Sequence, residues 1–182
     1  CGQRLDAISD HLRATGLDMA LSFHDAPLAS HADLLLAHTE GYLAELDDRL
    51  RQVESTGERV AFDPDTVACA HTRSAALHAA GAAVAATDAV HRGQFKTAFC
   101  AVRPPGHHAT RDAAMGFCFY NNVAIAARHA LDVLGYQRVA IIDFDVHHGN
   151  GTEDMIAGDE RVLMASFFQH PLYPGSGTVP MG

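Results

Sequence analysis

Two adjacent histidine pairs, His107-His108 and His147-His148, and the nearby aspartates Asp143 and Asp145 are the residues here whose types and spacing could do chemistry. In "IIDFDVHHGNG" (141–151), Asp143, Asp145 and His147 fall on alternate positions after an apolar run. A period of two places such side chains on one face of an extended segment. Two carboxylates and an imidazole gathered there are costly without a counter-charge. One carboxylate oxygen and one imidazole nitrogen so presented, from Asp145 and His147, can ligate a divalent metal such as zinc. Asp143, one step deeper, can ligate, orient a histidine or hold a second cation. A polar loop after a strand accounts for the triplet taken alone, and the second histidine pair weighs against that plainer reading.

His107-His108 follows "RPPG". Beside a metal, two imidazoles can divide the work: one takes a proton from an activated water, the other stabilises charge. Each needs a partner that sets its tautomer and orientation. Asp143 is available for one and Asn150 for the other. "GFCFYNN" (116–122) and "PLYPGSG" (171–177) bring glycine and aromatic residues toward the same region. An apolar slot lined by Phe117 and Tyr173 suits a long methylene chain, whereas Phe119 and Tyr120 read as ordinary packing. His11, His78 and His129 lie on helical stretches and are expected at the surface or on helix flanks without a role.

These groups need a scaffold. Leu5, Ile8 and Leu12 recur at helical spacing with Gly16 as a stop. A second amphipathic helix is predicted from about residue 32 to 53, then a turn-rich loop at "ESTGERVAFDPD" (54–65). An alanine-rich helix covers about 66–92 and ends at Gly93. The pattern then becomes strand at 95–102, helix at 120–136 stopped by Gly135, strand at 138–142 and strand at 161–167. Strands alternating with helices imply a parallel α/β sheet covered on both faces. In such sheets ligands bind beyond the carboxyl ends of the strands. The loops carrying His107, Asp143 and Tyr173 would therefore converge on one rim.

The bulk numbers are compatible. The chain has 182 residues, is 48% hydrophobic and carries a formal net charge of −9. That suits a single globular domain and argues against general binding to nucleic acid or an anionic membrane, while leaving room for a basic partner. No apolar run approaches a membrane span and no signal peptide opens the chain. Cys1, Cys69, Cys100 and Cys118 form no CxxC pair and read as reduced thiols of a cytoplasmic protein.

"RPPGHHA" (103–109), "GFCFYNN", "DFDVHHGNGT" (143–152) and "YPGSG" (173–177) together resemble the histone deacetylase superfamily, which includes the acetylpolyamine amidohydrolases. "RPPGHHA" and the Asn of "HHGNG" are similar to its class II branch. "AHTEGYLAEL" (37–46) and "QRLDAI" (3–8) fit more loosely. The resemblance implies the arginase/deacetylase fold, a parallel sheet flanked by helices, and zinc-dependent hydrolysis of an N-acetyl amide on acetyl-lysine or acetylpolyamine. By motif position Asp145 and His147 would be zinc ligands. His108 would be the general base, and His107 its electrostatic partner, bonded to Asp143. Asn150 would pair with His108. Gly116, Phe117 and Tyr173 would line the acyl-lysine channel. A potassium ion would sit beneath the zinc, held by Asp143, Ser166 and the backbones of Asp145, His147 and Phe167.

The pattern also breaks. The family takes a third zinc ligand from a downstream Asp and polarises the acetyl carbonyl with a later Tyr; neither motif is in this sequence. Starting at Cys1 and stopping at Gly182, after "TVPMG" departs from the family pattern, the chain reads as a single partial domain truncated at both ends. A sheet edge left bare would favour self-association. Two alternatives remain: a catalytically incomplete remnant with a binding role, and an arginase-like ureohydrolase with two manganese ions. The second leaves "RPPGHH" and "GFCF" unexplained.

Overall fold

The computed structural model describes residues 2–178, so all of "TVPMG" but Thr178 lies outside the described residues. Helix α1 (Gln3–Thr15) ends on Gly16 in the left-handed conformation, as the spacing and the glycine predict. A short 3-10 turn (Leu17–Ala20) follows.

The helix predicted over 32–53 is two helices, α2 (His31–Leu35) and α3 (Glu40–Thr56). Each begins on its own cap. The Ser30 hydroxyl accepts from Asp33 N–H, and the Thr39 hydroxyl accepts from Tyr42 N–H. Two hydroxyl caps nine residues apart divide the apolar run, because each satisfies the free N–H groups of a separate helix start. Tyr42, Leu43, Leu46, Leu50 and Val53 of α3 are buried at helical spacing in the main core.

The segment 54–65 is not wholly loop. It carries β1 (Val60–Ala61), which pairs antiparallel with β2 (Val67–Ala68) across a turn at 62–66. Helix α4 (Thr72–His91) lies in the alanine-rich stretch and buries Ala76, Ala79, Ala80 and Gly81. The 27–29 loop crosses directly over Gly81, whose missing Cβ would stand 2.7 Å from Ala29 N. That close approach is what the small residues permit.

The run 95–102 forms no strand; Phe99 is 77% exposed and no segment among the described residues pairs with it. Strand formation needs a ladder partner, which apolar composition alone does not supply. Helix α5 (Asn122–Arg128) passes into a π-helical turn (His129–Val133) ahead of Gly135. His129 is buried there, not peripheral, and bonds Asp88 of α4 at 2.7 Å, joining the two helices.

Strands β3 (Val139–Asp143) and β4 (Val162–Ser166) pair in parallel, with Asp143 opposite Ser166. Helix α6 (Asn150–Ile156), which the apolar periodicity left unmarked, forms the crossover. One face of the pair packs Val139, Ile141, Val162 and Met164 against Ala127 and Ile156. The other face is open among the described residues, with Ile142 65% and Leu163 68% exposed. The expected cover on both faces is thus met on one.

Candidate active site

Beyond the carboxyl end of β3 the chain turns twice on its own carboxylates. Asp145 N–H donates to Asp143 Oδ1 (3.1 Å), and His147 N–H donates to Asp145 Oδ1 (2.8 Å). These turns keep Asp145 and His147 on the cleft side and send Phe144, 86% exposed, the other way. Asp145 Oδ1 and His147 Nδ1 stand 3.1 Å apart, so both donors face one point. That convergence fits a shared divalent ion in place of the shared proton. Among the described residues no third His, Cys, Asp or Glu joins them.

The histidine pair arrives from the 103–109 loop. His107 Nδ1 donates to Asp143 Oδ2 at 2.9 Å, and His108 Nδ1 donates to Asn150 Oδ1 at 2.8 Å. Asn150 Nδ2 points to Met115 Sδ (3.4 Å), which orients the amide with its carbonyl toward His108. Both imidazoles thereby carry a proton on Nδ1, which leaves Nε2 as the nitrogen turned away from the orienting acceptor. Burial holds the His108 imidazole below the ordinary histidine range, with the Asn150 bond opposing and the neighbouring histidines adding to it. Burial raises Asp143, yet the His107 and Asp145 hydrogen bonds win and keep its carboxyl below the usual range.

Close approaches make this geometry possible. Gly151 and Thr152 N–H, at the start of α6, both donate to His107 carbonyl (3.0 and 3.1 Å). A Cβ on Gly116 would lie 2.5 Å from His108 Cδ2, and one on Gly149 would overlap the Asp143 carboxylate. Asn121, fully buried, caps α5 through Ala124 N–H and donates to Ala109 carbonyl (3.1 Å), tying the loop's far end.

The cleft holds about 650 Å3 and is walled by Gly116, Phe117 and Tyr173 beside His107, His108, Asp145 and His147. The Tyr173 ring meets His108 edge-on at 5.0 Å between centroids. Burial, then the carboxylates Asp63 and Asp65, push the Tyr173 phenol upward. Its loop is latched by buried His148, whose Nδ1 lies 2.9 Å from Ser176 Oγ and whose Nε2 lies 3.5 Å from Glu153. Beneath the cleft, the Ser166 hydroxyl is buried beside Asp143 with no hydrogen-bond partner. An orphaned oxygen next to a carboxylate suits a monovalent cation.

A family model for the histone deacetylase domain matches residues 1–181. The chain belongs to the histone deacetylase family. It superposes on the crystal structure of the HDA15 HD domain with a TM-score of 0.88 at 35% identity, covering 96% of this chain and 49% of that one. The arginase/deacetylase α/β fold is therefore its fold. Type-2 histone deacetylase 2 of Dictyostelium discoideum is 48% identical over 103 residues, 51% of this chain and 6% of that protein. A probable deacetylase of Archaeoglobus fulgidus is 46% identical over 94 residues, 52% of this chain and 26% of that protein. The chain thus spans about half of the HDA15 HD chain and less of these relatives.

In this deacetylase-family chain His107, His108, Gly116, Phe117, Asp145, His147 and Tyr173 line one cleft, Asp143 and Asn150 bond the histidines from behind, and Ser166 lies opposite Asp143 in the sheet. Phe167 is 67% exposed and joins the site only through its N–H, which donates to the Asp143 carbonyl. Sequence reasoning missed Arg4, Leu5 and Ile8 of α1, Phe99 and Arg103, all of which line it. It also missed the latch at His148 and the support that "FDPDT" (62–66) gives to Gly116 and Phe117. The Asp-Pro-Asp-Thr run is a turn signal, but nothing local in it names a distant partner.

Proposed function

We propose that this deacetylase-family chain contributes the catalytic histidines and two metal ligands to zinc-dependent hydrolysis of an N-acetyl amide. The observation that carries the reading is the pair of histidines, each with a separate orienting acceptor, set beside the converging Asp145 and His147. Zinc bound there supplies an acidified water and a Lewis acid for the acetyl carbonyl. His108 Nε2 takes the proton of the attacking water and returns it to the leaving amine. His107, bonded to Asp143, stabilises the charge that develops beside it. Gly116, Phe117 and Tyr173 exclude water from the methylene chain. Asp143, Ser166 and the backbones of Asp145, His147 and Phe167 would hold potassium.

Acetyl-lysine peptides or acetylpolyamines are the substrate classes, favoured by the acidic Asp63 and Asp65 near Tyr173 and by the net charge of −9. The neutral Asn150 and the name of the Dictyostelium relative favour the class II branch. Cytoplasmic residence is the matching setting for a chain whose Cys69, Cys100 and Cys118 are free thiols. Metal analysis together with turnover of a fluorogenic acetyl-lysine substrate tests the activity. One bound zinc and Asp145- and His147-dependent turnover support it; zinc-free, inert protein leaves an incomplete binding remnant.

A second proposal concerns assembly. Ile142 and Leu163 are bare on the open face of β3 and β4, and neither strand has a further partner among the described residues. Self-association through this edge and face would cover them. A monomer at high concentration by light scattering would remove the idea.

A further inference from the structure

Phe117 is, among the described residues, the one non-glycine residue at positive φ (+67°), next to Gly116 at +57°. Bulky side chains rarely adopt this conformation, and it persists where the surroundings over-determine it. Met115 and Cys118 close the turn below by exchanging both backbone bonds, at 3.1 and 2.9 Å. That leaves the N–H groups of Gly116 and Phe117 at the tip, pointing away from the turn. Each meets an acceptor from the turn between β1 and β2. Asp63 Oδ2 accepts from Gly116 N–H at 3.0 Å, and Thr66 Oγ1 accepts from Phe117 N–H at 2.9 Å.

The supporting turn is itself rigid. Asp63 Oδ1 accepts from Asp65 N–H and Thr66 N–H, and Phe62 N–H donates to Thr66 carbonyl. Thr66 is fully buried. The two carboxylate oxygens of Asp63 therefore have separate tasks: one closes its own turn, and the other reaches across the fold.

We infer that Asp63 and Thr66 are positioning residues that hold the Gly116–Phe117 wall of the cleft in place for an acyl-lysine chain. The inference rests on the deacetylase reading of the cleft for its substrate and on hydrogen-bond geometry for its mechanics. Phe117 lies on the cleft wall and is 54% exposed as a residue, so its direction depends on the backbone beneath it.

Three variants of the zinc-loaded full chain test this by amide hydrogen exchange and by kinetics on an acetyl-lysine peptide. Thr66→Val keeps the shape and removes the acceptor; Thr66→Ser keeps the hydroxyl. Asp63→Asn keeps Oδ1 for its own turn but opposes Gly116 N–H with an NH2 group. Thr66→Val should speed Phe117 exchange about tenfold and raise KM about tenfold, with kcat within about twofold. Thr66→Ser should restore both. Asp63→Asn, at a partly exposed position, should speed Gly116 exchange and raise KM likewise. Unchanged exchange at Phe117 and Gly116 overturns the anchoring. Faster exchange with unchanged KM overturns the role in positioning. A wild-type chain without turnover or peptide binding overturns the deacetylase reading instead, and the exchange rates still decide the anchoring.

Discussion

Asn150 Oδ1 lies 2.8 Å from His108 Nδ1, so a neutral carbonyl, not a carboxylate, orients the imidazole proposed as general base. The amide fixes the tautomer but offers little charge to an imidazolium, while burial opposes protonation. Asn150→Asp should therefore raise the His108 pKa. An NMR titration of the His108 ring measures it directly, and the acidic limb of kcat/KM should move upward in an active context. Identical titration curves would defeat the argument.

Gly149, at φ −79° and ψ 60°, is the centre of an inverse γ-turn, a conformation that residues with side chains also adopt. Its Cβ would nonetheless overlap the Asp143 carboxylate. Gly149→Ala should break the His107–Asp143 bond and cost about 1–3 kcal/mol of stability, as overpacking does. Thermal unfolding and the His107 Nδ1–H resonance read the two effects; retention of that resonance with full stability would refute it.

Tyr42 Oη donates to Phe119 carbonyl at 2.7 Å in a buried position, joining α3 to the segment that follows the cleft wall. Tyr42→Phe leaves that carbonyl without its partner. The expected loss is about 1–3 kcal/mol, read from urea unfolding. A neutral substitution would mean that the carbonyl finds another donor.

Buried His38 accepts from Asn121 N–H through Nε2 (3.0 Å), while its Nδ1 has no hydrogen-bond partner. Burial lowers its pKa to about 4. The folded state therefore resists protonation while the unfolded chain takes a proton near pH 6.5. Its contribution is present above pH 6.5 and is lost as pH falls from there toward about 4. The loss runs at about 1.4 kcal/mol per pH unit, on the order of 3 kcal/mol in all. His38→Gln should flatten the difference in stability across that window relative to wild type. Parallel pH profiles would assign the slope to other groups.

The resemblance read from the motifs, and the chemistry of the donors, needed only local spacing. Asp143 closes a strand, whereas Asp145 and His147 reach the cleft through two turns on their own carboxylates and not through extended alternation; Gly16 ends α1 because glycine tolerates positive φ. Residues 95–102 misled for a related reason: their composition suits a strand, but a ladder needs a neighbour that no local pattern names. The same limit hid α6, a seven-residue helix placed by its crossover between β3 and β4.

Tertiary structure alone decided which groups meet. His107 finds Asp143 across 36 residues, His108 finds Asn150 across 42, and Phe117 finds Thr66 across 51. Residue type supplied the donors and acceptors; packing chose the pairs, because closing such long loops is favourable only when many contacts form together. "IIDFDVHHGNG" thus carried in its spacing the two residues proposed here as metal ligands. The orientation of its histidine partners, and the firmness of the wall beside them, came from segments far away in the chain.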